Sequence, residues 1–226
     1  MLFYLPDFSN PALPESESRH CIQVLRKSAG DTLLVGNGKG EKAEATIVKA
    51  NPKACELNLS KSEFHTQTWK GKVFLAIAPT KNLDRMEWLV EKATEMGCNG
   101  FYFIRTARTE RNQINVERLE KVALAAMKQS GQYWLPEIHW VDKLDKFPFS
   151  DFSNHWFGDL SSHSHSSFDQ KENGSHLFWI GPEGDFTPAE WGLLREKGAL
   201  GISLSSNILR TETAGLAAVF LFHFSK

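Results

Sequence analysis

The spacing of apolar positions changes character near residue 70. Before that point the apolar runs are short and broken by turn residues: Thr32-Leu33-Leu34-Val35, Ala43–Val48 and Cys55–Leu59. The later runs alternate apolar with polar, and the first two flank Gly36-Asn37-Gly38-Lys39-Gly40, an Asn-Gly hairpin signal. Small antiparallel β structure, closing as a barrel, is predicted there, preceded by a short helix over His20–Arg26. Beyond Gly71 the pattern differs. Val73–Ala78 is continuously apolar, as in a strand covered on both faces. Met86, Leu89, Val90, Ala93 and Met96 then recur at helical spacing until Gly97, and Leu119, Val122, Ala123, Ala126 and Met127 do so until Gly131. Further strands are expected at Phe101–Ile104, Glu137–Val141, His155–Phe157, Leu177–Ile180 and Gly201–Leu204. This alternation predicts an α/β domain with a mainly parallel sheet and helices on both faces. The domains are therefore drawn as 1–68 and 71–226.

A chain of 226 residues with 41% hydrophobic content can bury an ample core. No apolar run approaches a bilayer span and the start lacks the basic region of a signal peptide, so a cytoplasmic protein with no membrane partner is expected. Cys21, Cys55 and Cys98 are far apart and odd in number, which suggests core thiols and neither a disulfide framework nor a zinc site. Ser161–Ser175 is polar and low in complexity, as in a flexible surface loop. Its His163 and His165, with His155 and His176 on either side, lack the fixed surroundings a metal ion needs, so no metal is expected. Dinucleotide, Walker, zinc-protease and serine-hydrolase signatures are all missing from the sequence.

Candidate chemistry lies in two C-terminal stretches. Gly181-Pro182-Glu183-Gly184 follows the strand ending at Ile180, and Thr187-Pro188-Ala189-Glu190 then combines an N-cap, Pro at the first helical position and a capping box. A carboxylate among loop N–H groups is wrong for phosphate and suits a neutral, zwitterionic or cationic ligand. The second stretch, Asn207 to Ala214, places Arg210 at a helix N-terminus, where the helix dipole disfavours a cation. Arg210 is therefore expected either to meet an anionic or carbonyl group or to hold its loop through a salt bridge. Thr211 or Thr213 is expected to cap that helix, with Glu212 in its first turn.

The net charge of -1 divides into about +3 before residue 140 and about -4 after it, too mild to announce nucleic acid. Local clusters say more: Lys81 and Arg85 follow one strand, and Arg105, Arg108 and Arg111 follow another. Basic groups at strand ends suit a polyanion.

Taken together, these residues resemble the bacterial small-subunit rRNA uridine-N3 methyltransferases, the RsmE family of the SPOUT superfamily. The resemblance covers nearly the whole chain. It runs through His20 and Val24-Leu25-Arg26, Lys81 and Arg85 through Gly97, Glu110-Arg111, Gln129-Ser130, the Gly181–Gly184 loop and Ile208–Ala214. It implies an N-terminal PUA-like β-barrel that grips RNA, a SPOUT-type knotted parallel sheet with flanking helices, and a homodimer. The implied cofactor is S-adenosylmethionine, held by Ile180, Gly181, Pro182, Glu183, Gly184, Leu204, Ile208, Leu209, Arg210, Thr211 and Ala214. The implied partner is 16S rRNA in the small ribosomal subunit, met by His20, Arg26, Lys81, Arg85, Arg108 and Arg111. Three positions depart from the family pattern: Asp185 and Ser205 replace glycines and Gln132 replaces an arginine.

Methylation at N3 of uracil requires loss of the imino proton, since neutral N3 offers no lone pair. Arg210 is the candidate to stabilise the resulting uracilate, and Glu183, Glu212 or solvent to accept the proton. Glu91 and Glu95, four apart on one helix, read as structural. The rival readings are a SPOUT enzyme with another target, ribose 2′-hydroxyl or another base, and a non-catalytic RNA-binding assembly factor.

Overall fold

A computed structural model describes residues 1–67, 71–159 and 174–224, and within these the chain divides into two compact units. The first comprises Met1–Gln67 with Leu124–Leu135, and the second Thr68–Ala123 with Pro136–Lys226. The segment 161–173, with His163 and His165, lies outside the described residues.

The first unit is built on β1 (Leu2–Tyr4), β2 (Thr32–Gly36), β3 (Glu41–Lys49), β4 (Glu56–Leu59) and β5 (Glu63–Phe64). Pairing runs β1-β2-β3-β4, with β5 also on β3. The β2–β3 hairpin turns at Asn37-Gly38 as the sequence predicts. Gly40 sits at φ 92°, and a Cβ there would come within 2.4 Å of the Trp134 ring, so only glycine fits. Along β3, Ala43, Ala45 and Ile47 are buried while Glu44, Thr46 and Val48 face out, the alternation of a one-sided sheet. Cys21 and Cys55 lie fully buried in this core.

The predicted helix at His20–Arg26 instead begins earlier, as α1 (Glu15–Arg19) running into a π-helical turn at His20–Val24. It ends at Val24 with Leu25 as its cap, and Arg26 beyond takes a left-handed φ of 56°. Two features of this unit were not predicted. β1 is short and pairs in parallel with a strand thirty residues away. Glu17 is buried, accepting from the Tyr4 N–H at 3.1 Å and pairing with Lys128 Nζ at 2.5 Å, so the carboxylate is satisfied despite its burial.

The second unit contains β6 (Lys72–Ile77), α2 (Leu83–Glu95), β7 (Gly100–Ile104), α3 (Val116–Ser130), β8 (Glu137–Val141), β9 (Asn154–Gly158), β10 (Ser175–Ile180), α4 (Pro188–Glu196), β11 (Leu200–Ile202) and α5 (Thr211–Phe224). The last turns of α3 belong to the first unit. All five strand pairs are parallel, in the order β11-β9-β10-β6-β7-β8. Both faces are covered. Phe74, Ala76, Tyr102, Leu177 and Trp179 join one core with Leu194 of α4. On the other face α5 packs on α2, β6 and β10, close enough that a Cβ on Gly215 would stand 3.2 Å from Ile77 and Leu89. Burying one such leucine contributes on the order of 2 kcal/mol. Glu91 and Glu95 both pair with Lys92 on α2, at 2.7 and 2.9 Å, a local structural role.

Candidate functional site

The strand order places the C-terminal ends of β9, β10 and β11 side by side, and the chain reverses its direction of travel across the sheet there. Ligands of open α/β sheets bind at such an edge. After β10 the Gly-Pro break is closed by a turn in which Asp185 N–H donates to the Pro182 carbonyl at 2.9 Å. Asp185 takes φ 61°, the left-handed conformation a glycine would supply, and its own carboxylate accepts from Phe186 N–H at 2.7 Å. Departure from glycine is thereby accommodated. The predicted capping box then starts α4: Thr187 Oγ1 accepts from Glu190 N–H at 3.3 Å and Glu190 Oε2 from Thr187 N–H at 2.7 Å.

The second loop begins where β11 ends at Ile202, two residues sooner than the alternation predicts. Ser203 and Ser205 take the chain out of the sheet: Ser203 Oγ donates to the Ser205 carbonyl at 3.2 Å, and Ser205 Oγ accepts from Asn207 N–H at 3.1 Å. Arg210 immediately precedes α5, as expected, and its carbonyl receives the Ala214 N–H at 2.8 Å. Thr211 does not cap that helix. Its hydroxyl reaches across to donate to the Gly181 carbonyl at 3.2 Å, tying the two loops together.

Between the loops lies a cavity of about 640 Å³, within the range of small-molecule sites. Ile180, Gly181, Pro182, Glu183, Leu204, Ile208, Leu209, Arg210, Thr211 and Ala214 all line it. Gly184, also expected, does not; its carbonyl accepts from Arg108 Nη1 at 2.5 Å. Sequence reasoning missed Gly158 and Asp159 at the end of β9, and the aromatic wall of Trp179, Phe186 and Trp191. The strand-end rule was the available signal for the first two. Gly158 matters sterically, since a Cβ there would lie 3.2 Å from Leu204.

Trp179 is held by a relay. Its Nε1–H donates to His155 Nδ1 at 3.3 Å, and His155 Nε2 lies 3.1 Å from the Phe149 carbonyl. A carbonyl only accepts and an indole N–H only donates, so His155 carries its proton on Nε2 and is neutral. Burial accordingly pushes its pKa below the ordinary histidine value.

Charge in the cavity fits the expectation drawn from Glu183. Among the described residues that line it, Asp159, Glu183 and Asp185 are acidic and Arg210 is basic, and Glu183 is also paired with Arg85 at 3.4 Å. A net negative lining disfavours a polyphosphate and suits a ligand with a cationic centre. Arg210 is exposed and its side chain makes no hydrogen bond or ion pair among the described residues, so the salt-bridge role considered for it is not observed.

The basic residues assigned to RNA are largely occupied. Arg111 donates twice to the Lys81 carbonyl, at 3.0 and 2.6 Å, while Lys81 Nζ lies 3.4 Å from Glu110. Arg108 holds Gly184, and Arg85 lies between Glu183 and Glu212. In the first unit Arg26 is exposed, and His20 is half-buried with its ring 6.2 Å from Phe3.

Comparison with known proteins bears on this arrangement. Residues 67–223 match the sequence model of an RNA methyltransferase domain and residues 13–60 that of an RNA methyltransferase PUA domain. The chain is 26% identical over 230 residues to the ribosomal RNA small subunit methyltransferase E of Bacillus subtilis, covering 95% of this chain and 88% of that one. A crystal structure of a probable rRNA-methyltransferase from Porphyromonas gingivalis superposes with a TM-score of 0.84 at 34% identity, covering 98% of this chain and 96% of the other. The fold is also that of a ribosomal RNA small subunit methyltransferase E from Neisseria gonorrhoeae bound to S-adenosyl methionine, with a TM-score of 0.84, 24% identity and the same coverage.

Proposed function

The chain belongs to the RNA methyltransferase family, and from that premise we propose that it uses S-adenosylmethionine to methylate N3 of a uridine in 16S rRNA of the small ribosomal subunit. The observation that carries this reading is the cavity between the Ile180–Asp185 and Leu204–Ala214 segments, acidic apart from Arg210 and walled by aromatic rings. The relative from Bacillus subtilis is named for ribosomal RNA of the small subunit, and the Neisseria gonorrhoeae protein holds the cofactor itself.

When bound, the cofactor supplies an electrophilic methyl group on a sulfonium. The chain's own part is alignment and charge. Bringing two reactants into line can contribute roughly 7–11 kcal/mol. Arg210, with no partner of its own among the described residues, is free to donate to the uracil carbonyl oxygen on which negative charge develops. Of the two carboxylates considered as proton acceptor, Glu183 lines the cavity, whereas Glu212 is 7% exposed and does not. Geometry favours Glu183.

The first unit serves as the RNA grip, with His20 and Arg26, and Lys81, Arg108 and Arg111 remain the basic candidates of the second. A second copy of this chain is the partner we infer for α2 and α5. Trp88 on α2 and the stacked Phe220 and Phe224 on α5 are 43%, 54% and 61% exposed, on two helices that pack together. We infer a knot as well, formed where α5 follows the loop tied by Thr211 to Gly181. We infer that it works in the cytoplasm, where its proposed target lies; no helix among the described residues is long and apolar enough to cross a membrane. No group of metal-ligating side chains occurs among them either.

Titration of the purified protein with S-adenosylmethionine, followed by transfer of a labelled methyl group to small subunits lacking the modification, tests the proposal. Binding and label in 16S rRNA are expected. Absence of cofactor binding would overturn it.

A further inference from the structure

We propose that Arg85 is a positioning residue of the cofactor site and not an RNA contact, clamping the Glu183 carboxylate on the cavity wall to the buried Glu212 carboxylate at the start of α5. The inference rests on the S-adenosylmethionine reading above and adds to it a residue outside the cavity lining.

Arg85 stands in the first turn of α2. Its Nη1 lies 3.4 Å from Glu183 Oε1 and its Nε 3.7 Å from Glu212 Oε1. One guanidinium thus links the loop after β10 to the N-terminus of the last helix. The Glu212 side chain is only 10% exposed and its Oε2 has no hydrogen-bond partner among the described residues. A carboxylate so placed is costly without a cation beside it, and Arg85 is the basic side chain within ion-pair distance among the described residues.

A guanidinium already shared by two carboxylates has little left for a phosphate. The three charges sum to about -1, so the cluster as a whole repels a polyanion and attracts the cationic part of a sulfonium amino acid. Thr211 ties the same two segments through its bond to Gly181. The cofactor loops are therefore held in register at two points, and Arg85 is the one that also sets the charge.

The test uses the full-length protein with three variants, Arg85→Met, Arg85→Lys and Glu183→Gln. S-adenosylmethionine affinity is read by titration calorimetry without RNA. Affinity for small ribosomal subunits is read across a salt series, and KM for each substrate separately. We expect Arg85→Met to weaken cofactor binding by about tenfold, a fraction of what a lost charge-assisted pair can cost, and to raise KM for the cofactor with the RNA salt slope unchanged. Arg85→Lys retains a cation against Glu212, and so the fold, but reaches one carboxylate only; a loss of a few-fold is expected. Combining Arg85→Met with Glu183→Gln should cost less than the sum of the two, because they remove one interaction. The inference is overturned if the wild-type protein binds the cofactor, the Arg85 variants bind it equally well, and the salt slope for RNA falls by about one phosphate contact. Failure of the wild-type protein itself to bind would instead overturn the cofactor reading and this inference with it.

Discussion

Thr211 and Gly181 are joined by a 3.2 Å hydrogen bond from hydroxyl to carbonyl. The bond ties the N-terminus of α5 to the end of β10 and brings together two loops that are thirty residues apart. Thr211 is 6% exposed and the bond is partly buried. Thr211→Val keeps the shape and deletes the donor. A loss of about 1 kcal/mol in unfolding free energy is expected, together with a several-fold weaker affinity for S-adenosylmethionine, measured by denaturant titration and calorimetry.

Asp185 occupies a left-handed backbone conformation at φ 61° while accepting from the Phe186 N–H. Alanine loses the acceptor and tolerates that conformation poorly, at a cost of about 1–2 kcal/mol. Asp185→Ala should therefore lower the melting temperature clearly more than Asp185→Gly. Equal losses in the two variants would show that the side-chain bond, which both delete, and not the backbone conformation, decides the residue at this position.

Arg210 has no intrachain partner for its side chain among the described residues, so its removal leaves the fold intact. For Arg210→Ala we expect an unchanged melting temperature, cofactor affinity within a few-fold, and a fall in kcat of about 10²–10³. Single-turnover methyl transfer measures the last of these. A loss confined to KM for RNA would mean that Arg210 binds substrate and does not stabilise the developing charge.

His223, in the last turn of α5, is 5% exposed, and burial pushes its pKa down to about 4. At neutral pH the imidazole is uncharged in both folded and unfolded chains. As pH falls below the unfolded value near 6.5, the unfolded chain takes up the proton first and stability is lost, down to about pH 4. Thermal melts between pH 7 and pH 4.5 should show this decline. His223→Phe should flatten it.

Much of the fold is legible in the sequence because its signals are local. The apolar run Val73–Ala78, the helical spacing of Met86, Leu89, Val90 and Ala93, and the Thr187-Pro188-Ala189-Glu190 start each predict an element that forms. What escaped is non-local. The sheet order depends on where β9 joins after β8, and no periodicity records that. β1 is three residues long and is held by pairing with β2 and by the bond from Tyr4 N–H to Glu17, neither of them local in sequence. Arg85 carries the same lesson into the site: beside Lys81 in sequence it looks like part of a basic rim, yet its partners lie 98 and 127 positions away. Gly184 shows the same: its carbonyl is taken by Arg108, 76 positions away, a pairing its loop sequence does not record.

The most direct test of the account is the identity of the methylated nucleoside. Small subunits lacking the modification, incubated with this protein and S-adenosylmethionine, are digested and their 16S rRNA nucleosides resolved by mass spectrometry. N3-methyluridine is the product predicted. A 2′-O-methylated nucleoside or another methylated base would contradict the assigned target while keeping the chemistry, and no methylated product from a protein that binds the cofactor would contradict catalysis itself.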